Sequence, residues 1–190
     1  MNDANQKHYN SMDSNPFGYL DRESKATLES GLTRVTGERK LVCRMPDEWD
    51  FRYDAQNKGE EAGFFKTQSE TEGWQKVRTF SSTLNGQQVP EQLTWMWYRT
   101  TFTAPEDLPS GPLHIWFGEV DGSPTKVWLN GEPAGEFKGT RKHGEVEVSG
   151  KVLAGKENVL VIRTGQLAVS EVMQGGIFSP VMIYSGSRPR

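Results

Sequence analysis

From Leu41 onward the chain is built of short runs rich in Val, Ile, Phe, Trp and Thr, broken at close intervals by Gly, Pro, Asn and Asp. Runs of this length bounded by turn formers predict β-strands. They fall at residues 51–53, 74–80, 97–103, 113–120, 125–129, 132–137, 145–148, 159–164 and 181–184. Leu113, Ile115 and Phe117 alternate with His114, Trp116 and Gly118, so one face of that strand packs inward and the other meets solvent or a second layer. Between two of the runs, Asn130-Gly131 predicts a two-residue hairpin turn, because both residues accept positive φ. No pair of long 3.6-period segments separates the strands, which argues against a parallel α/β sheet. About nine short strands predict an all-β jelly-roll-like sandwich of two sheets.

Residues 1–40 have a different texture, polar and irregular. They predict a loosely structured leader or interdomain connector with at most one short helix, at 21–30, closed by Gly31. Few apolar groups are available to offset the ordering entropy of this segment, roughly 1–2 kcal/mol per residue. The expected globular domain is therefore 41–190, and a truncation starting near Leu41 is expected to stay folded.

Composition narrows the picture further. At 190 residues the chain suits one ordinary domain and is too short for the eight-stranded α/β barrel, which needs about 250 residues. Hydrophobic residues make up 34% and mean hydropathy is -0.68, so the six Trp and the 11% aromatics must supply much of the buried surface. With 22 Lys+Arg against 25 Asp+Glu, no global field points to nucleic acid or an anionic membrane. Cys43 is the only cysteine, which excludes an intrachain disulfide framework and a Cys-rich zinc site, and leaves the compartment open. It reads as a small buried hydrophobe. No stretch reaches the ~20 apolar residues of a membrane span, and the polar start has no signal-peptide apolar region. The expectation is a soluble chain.

The order of the motifs adds a resemblance. The succession Met45-Pro46-Asp47-Glu48-Trp49-Asp50-Phe51, Gly59-Glu60-Glu61-Ala62-Gly63-Phe64-Phe65, Gly73-Trp74 and Trp97-Tyr98-Arg99-Thr100-Thr101-Phe102 opens it. Phe117-Gly118-Glu119-Val120-Asp121-Gly122, Val127-Trp128-Leu129-Asn130-Gly131, Gly155-Lys156-Glu157-Asn158-Val159-Leu160 and Gly175-Gly176-Ile177 complete it. Over about residues 45–185 this resembles the N-terminal sugar-binding domain of family two glycoside hydrolases, the β-galactosidase and β-glucuronidase group. That domain is a galactose-binding-domain-like jelly roll, a fold shared with many carbohydrate-binding modules. The resemblance implies a non-catalytic carbohydrate-binding or architectural module, alone or in a larger glycan-degrading enzyme whose catalytic carboxylates sit on a separate barrel. Such an enzyme would be secreted or periplasmic if it degrades polysaccharide. A protein-interaction sandwich without a sugar site is the second reading, and a small jelly-roll enzyme the third.

The residues themselves offer little chemistry. Glu119 and Asp121 flank Val120, which on a strand places both carboxylates on one face, the arrangement of a general acid and base. A strand running into the Asp121-Gly122 turn explains the same residues without chemistry. His8, His114 and His143 are scattered without metal spacing, no serine lies in a G-x-S-x-G elbow, and phosphate-binding glycine motifs are absent from the sequence. The resemblance allows a structural calcium ion held near the strand ends, but the spacing of Asp47, Asp50 and Asp54 matches no ion-binding loop and reads as turn and surface.

Sugar binding needs an exposed aromatic face flanked by planar polar groups. Trp97 reads as core and Trp74 as packing, which leaves Trp95, in the segment before the 97–103 strand, as the foremost candidate for exposure. Trp116, on the opposite face from Ile115 and Phe117, is the candidate on a sheet face. The segment Lys138-Gly139-Thr140-Arg141-Lys142-His143-Gly144 departs from the family loop, which carries an aromatic residue there. Two readings stay open for it. One is a clamp for a carboxylated or sulfated glycan built from Lys138, Arg141, Lys142 and His143; the other is a solvated hairpin loop.

Overall fold

The computed structural model describes residues 39–69, 72–79, 83–139, 142–167 and 175–186. Residues 1–38 of the expected leader, with its helix and His8, and Arg141 lie outside the described residues. Two antiparallel sheets form a jelly-roll β-sandwich. The first joins β1 (Lys40–Arg44), β11 (Val181–Ser185), β5 (Leu113–Asp121) and β10 (Gly176–Ile177), with β8 (Lys142–Glu147) on the other side of β5. The second runs in the order β3 (Gln75–Arg78), β2 (Glu48–Asp54), β4 (Trp95–Thr103), β9 (Glu157–Gly165), β6 (Thr125–Leu129), β7 (Glu132–Phe137).

The alternation along each strand decides what lies between the sheets. Leu113, Ile115 and Phe117 of β5 and Val181 and Ile183 of β11 meet Trp49 and Phe51 of β2, Met96 and Tyr98 of β4, and Leu160 and Ile162 of β9 in one core. At the Asn130-Gly131 hairpin, φ is 54° and 82°, the positive values expected of that turn. In β5 the register shifts between Phe117 and Val120, which lets both of these residues reach zero exposure while Glu119 points outward.

Among the described residues there are eleven strands where about nine were expected. β1 was not foreseen because Lys40 and Arg44 bracket only three apolar positions, and β10 has two residues, too few for any period. β4 begins at Trp95, two residues early, so Trp95 is a strand residue and does not lie in the preceding loop. β1 also starts one residue ahead of Leu41, and the neighbouring Arg39, 5% exposed, is paired to Glu145 at 2.9 Å. A truncation that keeps this ion pair has to retain Arg39.

Cys43 is a free, half-buried thiol on β1. Burial pushes its pKa up to about 11, and the thiolate is the reactive form. Alkylation of the folded chain at mildly alkaline pH is expected to run roughly a hundredfold slower than in the urea-unfolded chain. Equal rates in the two states would contradict this burial.

Candidate functional site

On the outward side of the six-stranded sheet, β4 and β9 present Trp95, Trp97 and Arg99 opposite Gly165, Arg163 and Val161. A two-layer sandwich would leave this side wet, yet Trp97 is fully buried and Trp128 is 5% exposed. The cover is the segment between β2 and β3. Phe65 stacks on Trp128 at 5.6 Å, Trp128 on Trp97 at 5.2 Å, and Phe64 meets Trp97 and Trp74 edge-on at 5.5 and 5.8 Å.

A set of polar anchors holds that segment down. The Asp54 carboxylate, at the end of β2, accepts hydrogen bonds from the backbone N–H of Lys58 (2.9 Å) and Gly59 (2.8 Å) and from the Trp97 indole (3.1 Å). Gly59 is required here, since a Cβ would lie 2.5 Å from the Trp97 indole nitrogen. Glu60 takes Lys126 at 2.8 Å and Arg163 at 2.9 Å, and Arg163 also donates to Asn57. Burial pulls the Arg163 guanidinium below its ordinary pKa while the charges of Glu60 and Asp54 push it back. Arg99 donates to Ser69 and to the Thr67 carbonyl. The aromatic stack is thus closed by the chain itself.

Trp95 stands at the edge of this layer. It is half-buried; the Arg163 guanidinium lies 3.6 Å from its ring centroid, and Gly165 sits so close that a Cβ there would be 2.6 Å from Cζ3. Cation and glycine together take up much of the ring surface that a pyranose would need.

The opposite outward side, on the five-stranded sheet, carries Trp116. Trp116 is 9% exposed and packs among Leu41, Met182 and Tyr184. Around it Glu145 accepts from Arg39 and from the Tyr184 hydroxyl, Arg39 lies 4.3 Å over the Tyr184 ring, and His114 stacks on that ring at 5.3 Å. Trp116 presents little surface to a ligand.

Trp95, Lys138 and His143 come to one end of the sandwich. Gly165, the strand partner of Trp95, accepts from Ser123 N at 2.8 Å, and Gly139 packs so tightly that a Cβ would be 2.1 Å from the Gly122 carbonyl oxygen. Trp95 and His143 do not share a surface, however. Trp95 faces outward from the six-stranded sheet, whereas the alternation Gly144 inward, Glu145 outward on β8 puts the exposed His143 on the outward side of the other sheet. Lys138 is exposed in the connection between β7 and β8.

Among the described residues, no catalytic constellation joins these groups. Glu119 and Asp121 flank the inward Val120, and the Glu119 backbone is tied to Ser179 and Phe178. Among the described residues no group of three or more His, Cys, Asp or Glu is placed to hold a metal ion. Asp47 pairs with Arg44 at 2.6 Å, Asp50 with Lys76 at 2.9 Å, and Asp54 is the anchor described above. Among the same residues no helix is long and apolar enough to cross a membrane.

The sequence reading missed the role of Asp54, Glu60 and Arg163. The signal was present: arginines at 99 and 163 on the same side of apolar strands, and a Phe64-Phe65 pair inside a polar stretch, both call for a third layer.

No protein-family model and no curated protein matches the chain. Solved structures do. A β-glucuronidase from an uncultured Clostridium aligns with TM-score 0.64 at 22% identity, over 77% of this chain and 29% of its own. A Ruminococcus gnavus β-glucuronidase aligns with TM-score 0.66 at 15% identity, over 78% of this chain and 28% of its own. The chain spans less than a third of the length of these enzymes, and what it has in common with them is the jelly-roll sandwich fold of one of their parts.

Proposed function

We propose that this chain is a non-catalytic module of a glycan-processing enzyme and that its role is architectural: it supports and positions a catalytic partner. The observation that carries the reading is the partial match, most of this chain against under a third of each β-glucuronidase. The closed aromatic layers support it, because the rings that would form a sugar platform are spent on internal packing. The test is turnover of aryl glycosides by the isolated chain. No turnover is expected, and Glu119→Gln and Asp121→Asn are expected to leave any trace activity unchanged. Activity that scales with protein and disappears in either variant would overturn the reading.

A second reading is glycan binding at the Trp95 end, where half-exposed Trp95 and exposed Lys138 suit a weak contact with a carboxylated or sulfated glycan. A third is protein docking at the same end. Leu93 and Leu167 are 46% and 55% exposed and are brought side by side by the Gln166 N–H bond to the Thr94 carbonyl, 3.0 Å.

A further inference from the structure

The sequence contains two Asn-Gly pairs, Asn85-Gly86 and Asn130-Gly131, and the fold treats their side-chain amides in opposite ways. Asn130 is locked. Its Oδ1 accepts from Val159 N at 2.9 Å, and its Nδ2 donates to the Lys151 carbonyl at 3.0 Å and to Asn158 Oδ1 at 2.9 Å, with Asn158 itself fully buried. Asn85 is exposed and its side chain makes no hydrogen bond among the described residues. It lies in a three-residue 3-10 turn, Asn85–Gln87, held by Gly86 N to Thr83 Oγ1 (3.0 Å), Gln87 N to the Leu84 carbonyl (3.0 Å) and Gln88 N to the Asn85 carbonyl (3.0 Å). Such a short turn has poor hydrogen-bond geometry and opens at low cost.

We propose that Asn85 is a site of spontaneous deamidation and that the fold protects Asn130. The Gly86 backbone nitrogen, having lost its proton to base, attacks Asn85 Cγ. A nitrogen–carbon bond forms, the Cγ–Nδ2 bond breaks, and ammonia leaves with the proton it needs. Water then opens the cyclic imide at either carbonyl, giving aspartate or isoaspartate. Glycine at the second position leaves this approach open because it carries no Cβ. The attack on Asn130 would have to break all three of its side-chain bonds first.

The site matters because Gln87, two residues further along, is bound to the edge of a sheet. Gln87 Oε1 accepts from Arg78 N at 2.6 Å and Gln87 Nε2 donates to the Arg78 carbonyl at 2.9 Å. The side-chain amide thus stands in for a neighbouring strand on β3, the edge of its sheet. Isoaspartate at position 85 lengthens the main chain just ahead of Gln87 and pulls that amide away. The freed edge groups of β3 are then a template for pairing with another chain.

The test is peptide mapping by mass spectrometry of the full chain aged at mildly alkaline pH, folded and in urea. In the folded chain the amide-to-acid mass gain is expected on the order of tenfold faster at Asn85 than at Asn130, and in urea the two are expected to convert alike. Equal rates in the folded chain, or Asn130 first, would overturn the assignment. Gel filtration of the aged protein is expected to show self-association that Asn85→Gln prevents. Conversion at Asn85 without association would overturn the edge mechanism.

Discussion

Replacing Asp54 with alanine is expected to destabilise the fold by about 3–5 kcal/mol. Asp54 is 7% exposed and is the common acceptor for the Gly59 N–H and the Trp97 indole N–H, both buried. Each buried donor left without an acceptor costs about 1–3 kcal/mol. Lys58 N–H, at the exposed margin, adds less, because water replaces the lost bond. Asp54→Asn retains one acceptor oxygen and is expected to lose roughly half as much. Urea unfolding measures both. A loss under about 0.5 kcal/mol for the alanine variant, the range of ordinary surface substitutions, would mean that Asp54 does not anchor the covering segment.

Trp97→Ala is expected to cost about 3–5 kcal/mol as well, the range for truncating a large buried aromatic. Trp97 is fully buried, stacks on Trp128 and meets Phe64 edge-on, so its removal takes out the middle of the stack. Because its indole is one of the donors on Asp54, the two substitutions share an interaction. Their combined loss is expected to fall short of the sum by about 0.5–3 kcal/mol, the coupling seen for residues in contact. Simple additivity in a double-mutant cycle would place the two residues in separate units and contradict the geometry.

Much of the sandwich was legible because inward positions obey a period of two. The 125–129 and 132–137 strands appear with the expected bounds, and the hairpin between them has the expected positive φ values, since those features depend on neighbours in sequence. The alternation along β4 is visible in its burial as well: Met96, Tyr98, Thr100 and Phe102 are all buried, whereas on the other side Trp97 is buried, Trp95 and Arg99 are half-buried and Thr101 is exposed. What covers that side was not legible. Asp54 and Trp97 are 43 positions apart, and Glu60 and Arg163 are 103 apart, so no local pattern connects them. The proposed ligand residues have the same limitation: Trp95 and His143 share an end of the sandwich through contacts across β9 and β6, but strand parity turns them to opposite outward sides. Both residues were expected in loops, where no parity applies; β4 and β8 begin two and three residues earlier than the sequence suggested, which places Trp95 and His143 on strands and fixes their sides.

Trp97 and Trp128 on one outward side of the sandwich, and Trp116 on the other, are spent on packing. The direct measurement is an NMR titration that tracks the six indole N–H signals, those of Trp49, Trp74, Trp95, Trp97, Trp116 and Trp128, as neutral, uronate-containing and sulfated oligosaccharides are added in turn. Any response is expected to be confined to Trp95, with the other five signals unmoved throughout. A saturable shift at Trp97, Trp128 or Trp116 would show a glycan reaching a layer that the fold closes, and would contradict this packing.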